Sequence, residues 1–150
     1  MLDLDLSPPT PTIDVPSLNH SYLCSRILRQ LFTFPHIEAL TELTLDLDNG
    51  LTPDICVYPI DTLTPNLSRD ITRVTPLPLL AIEVISASQN IQTLLEKAER
   101  LVQAGVATVW TVEPYTRSIF VTNAQGETVI YNAPVSFNDI TIDFQQIFSL

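Results

Sequence analysis

The stretch L-P-L-L-A-I-E-V-I-S at residues 77–86 is the part of the chain that decides the fold. It is almost continuously apolar, and its second half is rich in β-branched residues. A strand buried on both faces has this composition, whereas a strand with one wet face alternates apolar and polar residues. We therefore expect these residues to form the central strand of a sheet. Glu83 interrupts the apolar run, and a buried carboxylate must be paired, protonated or bound to a metal.

Two amphipathic helices are predicted, one before and one after this strand. Apolar residues recur at helical spacing over 18–33, behind an N-cap candidate at Ser17. The same spacing is clearest over 91–102, and Gly105 is placed to end that second helix.

Further strands are predicted from shorter patterns. Alternating leucines predict a half-exposed strand at 42–48, followed by a turn at Asn49-Gly50. The segments 53–59 and 106–112 predict two more strands, and 118–131 predicts a hairpin around the four-residue loop N-A-Q-G. The resulting order, α-β-β-β-α-β-β-β, predicts an α/β (α+β) fold. In this fold a central mixed sheet is flanked by two helices and ends in a C-terminal β-hairpin.

Composition narrows the classes of function. The chain has 150 residues with 17 acidic and 7 basic side chains, a formal net charge of −10. The length predicts one domain, at 17–150, behind an extended proline-rich arm at 1–16. This net charge excludes a protein that binds nucleic acid through a broad basic surface. The chain start lacks the features of a signal peptide, and no run reaches the ~18 apolar residues of a membrane span, so we expect a cytoplasmic protein without a membrane partner.

Asp54, Glu83 and Lys97 are candidates for a common site. Taken singly, each has an ordinary interpretation: Glu83 pairs with Arg73 or Arg117, and Lys97, the only lysine, extends along the helix to solvent. Taken together, two carboxylates on neighbouring strands can bind Mg²⁺ or Mn²⁺ through oxygen. A nearby ammonium can stabilise a hydroxide or the charge developing on a phosphate. The set is typical of a hydrolytic phosphodiesterase.

The ordered set of these motifs resembles the PD-(D/E)xK nuclease superfamily. The matching pieces are P-D-I-C-V-Y-P at 53–59, L-L-A-I-E-V-I-S at 79–86, Lys97 fourteen residues after Glu83, and A-G-V-A-T-V-W-T-V-E-P at 104–114. In particular, the chain is similar to a large bacterial family of restriction-endonuclease-like proteins known as a domain of unknown function.

This resemblance implies a restriction-endonuclease-like fold and a metal-dependent endonuclease that acts on nucleic acid, most readily DNA. It also implies that Asp54, Glu83 and the backbone carbonyl of Val84 hold Mg²⁺ or Mn²⁺, while Lys97 positions and polarises the attacking water. The superfamily lysine stands two residues after the acid; Ile85 occupies that position here, and Lys97 matches the migrated lysine of the subfamily. With a net charge of −10, binding to nucleic acid is expected to be weak and metal-dependent.

A zinc site built from His20, Cys24, His36 and Cys56 is a weaker alternative. His20 and Cys24 lie one helical turn apart, but both fall on the apolar face of the first predicted helix. A core histidine and a small hydrophobic thiol are the ordinary residues at such positions, so no zinc site is expected.

A non-enzymatic function is the second hypothesis. On this hypothesis the chain is a catalytically silent nuclease-fold domain that acts as an oligomerising or regulatory module, in keeping with its acidic surface. The predicted strand at 42–48 and the hairpin at 118–131 leave sheet edges that need cover, which is compatible with a homodimer.

Overall fold

The computed structural model describes residues 17–150, so the predicted arm at 1–16 lies outside the described residues. The helices are α1 (Leu18–Leu31), α2 (Ile91–Ala104) and α3 (Phe144–Phe148). The strands are β1 (Ile37–Thr41), β2 (Ile55–Pro59), β3 (Leu80–Val84), β4 (Thr108–Glu113), β5 (Ser118–Asn123), β6 (Gly126–Tyr131), β7 (Pro134–Phe137) and β8 (Ile140–Asp143).

Six of these strands form one mixed sheet in the order β1-β2-β3-β4-β5-β6. β3 and β4 are parallel, and every other neighbouring pair is antiparallel. β7 and β8 form a separate two-stranded sheet. All five residues of β3 are buried, so the prediction that this strand is central is confirmed.

The two long helices begin and end where the sequence indicates. The Ser17 hydroxyl accepts a hydrogen bond from the backbone N–H of His20, which caps α1. Asn90 caps α2 in the same way, and Gly105 ends α2 with a φ of 123°, a conformation that side-chain-bearing residues rarely adopt.

The helices cover opposite faces of the sheet. α1, together with α3 and the β7–β8 hairpin, packs on the face formed by residues such as Ile55, Ile82 and Trp110. α2 packs on the other face, against Ala81 and Val109. None of the helices between residues 17 and 150 has both the length and the apolar character that crossing a membrane requires.

The predicted strand at 42–48 is wrong. The edge strand β1 lies earlier, and Glu42 and Asp48 have positive φ values of 51°, which interrupts an extended chain at both ends of the segment. Within it, only Leu45 forms bridges, with Leu51 and Val74. The alternating leucines instead fold down onto the core beneath α2. The predicted turn that follows is present, since the Gly50 N–H donates to the Leu47 carbonyl at 2.7 Å.

The C-terminal third differs from the prediction in two ways. Asn123 pairs with Gly126, so the β5–β6 hairpin has a two-residue loop and not the predicted four-residue loop. The elements β7, β8 and α3 were not predicted, because each is too short to show a clear period. They complete the core: Phe144 is fully buried and meets Trp110 edge to face, with ring centroids 5.9 Å apart.

Ile82→Ala tests whether β3 carries the core. Ile82 is fully buried at the centre of the sheet, whereas Ile71 is 69% exposed on a loop. We expect Ile82→Ala to lower the free energy of unfolding by about 2–5 kcal/mol. The matched change Ile71→Ala should alter it by less than about 0.5 kcal/mol. Urea unfolding measures both, and equal losses would contradict the central placement of β3.

Candidate metal and catalytic site

Asp54 and Glu83 are brought together by the pairing of β2 with β3. The antiparallel register places Ile55 opposite Ile82, so the preceding residue Asp54 falls opposite Glu83. Residues opposite each other in an antiparallel pair point to the same face of the sheet. Both acids therefore start from the face that α2 covers, at the end of the central strand.

The Asp54 carboxylate is held by two donors on one oxygen. Its Oδ2 atom accepts a hydrogen bond from the backbone N–H of Val84 at 2.8 Å and lies 3.0 Å from Nε2 of His20. Within residues 17–150, Oδ1 has no hydrogen bond. The carboxylate is thus fixed in orientation while one oxygen stays available for a ligand.

The Glu83 carboxylate is almost entirely buried, with 4% of its side chain exposed. Burial raises the pKa of Glu83 to about 7, although the positive charge of Lys97 opposes the rise. The negative charge of Asp54 raises the pKa further. Two carboxylates this close to each other create a site that attracts cations.

Lys97 supplies the cation closest to Glu83. Its Nζ atom lies 2.7 Å from Oε1 of Glu83 and donates a second hydrogen bond to the Thr52 carbonyl at 3.2 Å. Its side chain is only 17% exposed. The alternative of a lysine extended into solvent is therefore wrong. Pairing of Glu83 with Arg73 is also wrong, since Arg73 lies beside Asp46.

The position of His20 beside Asp54 is a feature of the site that the sequence did not reveal. His20 lies in the first turn of α1, is 8% exposed, and contacts Asp54 from the side of the sheet opposite α2. Hydrogen bonds to Asp54 and then to Cys24 raise the pKa of His20 to about 10. His20 does lie on the buried face of α1, as predicted. Its hydrogen-bond partner is Asp54, the candidate metal ligand. Helical spacing alone carries no signal for a partner that lies on a strand end.

The four residues of the alternative zinc site do not lie together in the structure. Cys56 is fully buried beneath α2, and His36 pairs with Asp139 at 3.0 Å. His20 and Cys24 do lie together, with the Cys24 Sγ atom 3.9 Å from Nε2 of His20. Their third neighbour is Asp54: one ligand atom from each of these three residues lies within 4.8 Å of the others.

A cleft with a volume of about 360 Å³ lies beyond the ends of β3 and β4, and Asp54, Glu83 and Lys97 are not among its lining residues. It is open to solvent, and no lysine or arginine is among its lining residues. The lining comprises residues before and within α1, the turn after β3 and the end of β4: Ser17, Asn19, Ile85, Ser86, Ala87, Gln89, Glu113, Pro114 and Tyr115.

A mixed sheet between two helices, with two acids and a lysine meeting at the end of its central strand, defines the restriction-endonuclease-like class of fold. The chain belongs to the Uma2 family, described as "Putative restriction endonuclease", whose model matches residues 11–144. The fold is also that of a solved structure from Anabaena variabilis ATCC 29413, titled as a putative nuclease belonging to DUF820. That chain is 19% identical, with a TM-score of 0.75 over 90% of this chain and 83% of the other. No curated protein matches the chain.

Lys97→Ala tests whether the Glu83–Lys97 pair supports the fold. Removing the ammonium leaves a buried carboxylate without its nearest cation, so we expect the free energy of unfolding to fall by about 1–3 kcal/mol. Arg100→Ala is the control on the same helix, because Arg100 is half exposed and 3.8 Å from Asp48. It should cost less than about 1 kcal/mol in the same urea titration. A Lys97→Ala loss no larger than the control's would contradict the structural importance of the pair.

Proposed function

We propose that this chain is a metal-dependent endonuclease that hydrolyses phosphodiester bonds in nucleic acid, most readily DNA. The observation that carries the proposal is the meeting of Asp54, Glu83 and Lys97 at one end of the sheet, with Lys97 2.7 Å from Glu83. Membership of a family described as putative restriction endonucleases supports the same reaction class.

The residues fit Mg²⁺ or Mn²⁺ as a cofactor. Both ions prefer oxygen ligands, and the site offers two carboxylates on neighbouring strands. The free Oδ1 atom of Asp54 and the Glu83 carboxylate would hold the ion, together with the backbone carbonyl of Val84. A bound divalent ion supplies positive charge to a phosphate group and makes water easier to deprotonate.

Lys97 is suited to act on the attacking water. An ammonium group has three N–H donors, and the structure commits two of them, to Glu83 and to the Thr52 carbonyl. The third donor is left for a water molecule or a phosphate oxygen. Because its two partners fix the ammonium, Lys97 can position that oxygen without reorganising during the reaction.

The His20 imidazole holds Asp54 in place from the other side. Together with the Val84 N–H, it pins Oδ2 of Asp54, so the carboxylate presents Oδ1 in one direction. His20 is therefore a positioning residue in this proposal, acting through Asp54.

Substrate binding should depend on the metal. The chain carries a net charge of −10, and the cleft beyond the ends of β3 and β4 has no lysine or arginine among its lining residues. A phosphate that approaches Asp54 and Glu83 meets two carboxylates, and a bound cation reverses the sign of the local field. The lining of the cleft offers no basic side chains for salt-dependent binding of the nucleic-acid phosphates.

One observation favours the alternative, a catalytically silent domain that acts as an oligomerising or regulatory module. Each acid of the site already has a cation from the chain, Asp54 with His20 and Glu83 with Lys97. Such pairs hold the fold together without a metal. For a homodimer, the edge strand β6 offers a surface on which Val129 and Tyr131 are 54% and 67% exposed.

A cleavage assay separates the two functions. The parent is incubated with plasmid, linear and single-stranded DNA in Mg²⁺ or Mn²⁺, beside Glu83→Ala and Lys97→Ala. We expect each variant to lose at least about 100-fold in rate, since each removes a group that acts on the reacting atoms. Glu99→Ala and Arg100→Ala, at exposed positions of α2, are the matched controls and should keep the parent's rate. Equal rates in all five proteins would identify a contaminant and contradict the catalytic assignment.

A thermal-unfolding titration with Mn²⁺ tests the metal site without any substrate. A ligand bound only by the native state stabilises it by about 2.7 kcal/mol at one hundred times its Kd. The parent and Glu99→Ala should therefore show a midpoint that rises with Mn²⁺ concentration, and Glu83→Ala should not. No rise for the parent at millimolar Mn²⁺ would favour the non-enzymatic module.

A further inference from the structure

Three potential metal ligands meet on the α1 side of the sheet, and one of them, Asp54, also belongs to the oxygen-ligand site proposed above. His20 and Cys24 are four residues apart on α1, so their side chains point to the same side of the helix. Asp54 reaches them from the start of β2. Nitrogen, sulfur and oxygen therefore converge from two separate elements of the fold.

The distances are close to those of a tetrahedral zinc site. With Zn–N and Zn–O distances near 2.1 Å and a Zn–S distance near 2.3 Å, tetrahedral ligand atoms are about 3.3–3.6 Å apart. In the structure Nε2 of His20 lies 3.0 Å from Oδ2 of Asp54 and 3.9 Å from Sγ of Cys24. All three ligand atoms lie within 4.8 Å of one another. Small side-chain rotations bring them to equal distances from a common centre.

The chemistry of this donor set differs from that of the Asp54–Glu83 pair. Imidazole and thiolate ligands select zinc and other borderline-soft ions, whereas Mg²⁺ and Mn²⁺ prefer oxygen alone. His20 is 8% exposed and Cys24 is half-buried, so the ligands are partly shielded from water. The thiol and the imidazole each lose a proton to the solvent when the metal binds.

We propose that His20, Cys24 and Asp54 form a zinc-binding site that competes with the oxygen-ligand ion for Asp54. The competitive part of this inference rests on the proposed function, and the zinc site itself does not.

Charge explains why the two ions exclude each other. The formal charges of one zinc ion, the Cys24 thiolate, the two carboxylates and the Lys97 ammonium sum to zero. A second divalent ion on the same Asp54 would leave a large excess of positive charge in a partly buried region. Zinc on the Oδ2 side of Asp54 therefore disfavours a second divalent ion on Oδ1, and Zn²⁺ acts as an inhibitor of the proposed cleavage.

The experiment uses the full chain with Co²⁺ as a spectroscopic stand-in for zinc, and ZnCl₂ in calorimetric titrations. The sequence provides matched controls, because it has two cysteines and two histidines, and only one of each lies in the cluster. Cys24→Ala and His20→Ala are compared with Cys56→Ala and His36→Ala, and Cys24→Ser serves as a second variant should the alanine change impair folding. The folded state of each is checked by circular dichroism.

We expect the parent to show thiolate-to-cobalt charge-transfer absorption that Cys24→Ala and Cys24→Ser lose and Cys56→Ala keeps. Zinc affinity should fall at least about 100-fold in Cys24→Ala and His20→Ala. Loss of a direct ligand lowers metal affinity more than loss of a residue that hydrogen-bonds to a ligand. His36→Ala should bind zinc like the parent. Absence of the thiolate band in the parent, or an equal loss of affinity in Cys56→Ala, would overturn the zinc site.

A Mn²⁺ electron paramagnetic resonance titration tests the competition. Saturating Zn²⁺ should release bound Mn²⁺ from the parent, whereas the same Zn²⁺ concentration should release little from Cys24→Ala. Retention of Mn²⁺ in zinc-saturated parent protein would contradict competition for Asp54. If the parent binds no Mn²⁺ at all, the proposed nuclease site fails, while the cobalt spectrum still decides the zinc site independently.

Discussion

The ion pair between Glu83 and Lys97 is the interaction on which the rest of this structure depends. It places a carboxylate inside the most apolar strand of the chain, where an isolated charge would be costly. Lys97 offsets that cost from the adjoining helix, and its second hydrogen bond, to the Thr52 carbonyl, reaches the segment that leads into β2. One ammonium group thus fixes α2 to β3 and to the segment that precedes β2. The same contact sets the charge and the position of the proposed catalytic groups.

Asp54 is the second constraint, because it lies where both faces of the sheet meet. Its register with Glu83 assigns it to the α2 face, yet its carboxylate contacts His20 of α1. The N–H of Val84 closes the arrangement from the end of β3. A side chain with three such neighbours cannot move without disturbing both layers of the fold. This is why the choice of ion at Asp54, oxygen-bound or thiolate-bound, would act on the whole site.

The sequence was informative wherever one pattern is long and unbroken. The apolar run around Glu83 predicts β3, because a strand buried on both faces is apolar at nearly every position. The helical spacing over 91–102 predicts α2, because a helix buried along one stripe repeats its apolar residues at a clear period. The segment 42–48 was wrongly predicted as a strand. Its alternating leucines are compatible with a strand, but they are equally compatible with an irregular segment that packs on the core. The positive φ of Glu42 and Asp48 leaves no comparable mark in the sequence. The short elements after β6 likewise give no period to detect.

The site was predictable in part. The spacing of Asp54, Glu83 and Lys97, with the resemblance to a nuclease superfamily, indicated the three residues, and the structure brings them together. The sequence indicates His20 only as a member of the weaker zinc set. Its contact with Asp54 was not predicted, because that contact joins a helix to a strand end 34 residues later in the chain and no local spacing encodes it.

The most direct measurement of the central claim is anomalous diffraction from crystals soaked in Mn²⁺. The account predicts one anomalous peak between the carboxylates of Asp54 and Glu83, and no peak there in crystals of Glu83→Ala. A parent crystal with no peak at this position under saturating Mn²⁺, or a Glu83→Ala crystal that keeps the peak, would contradict it.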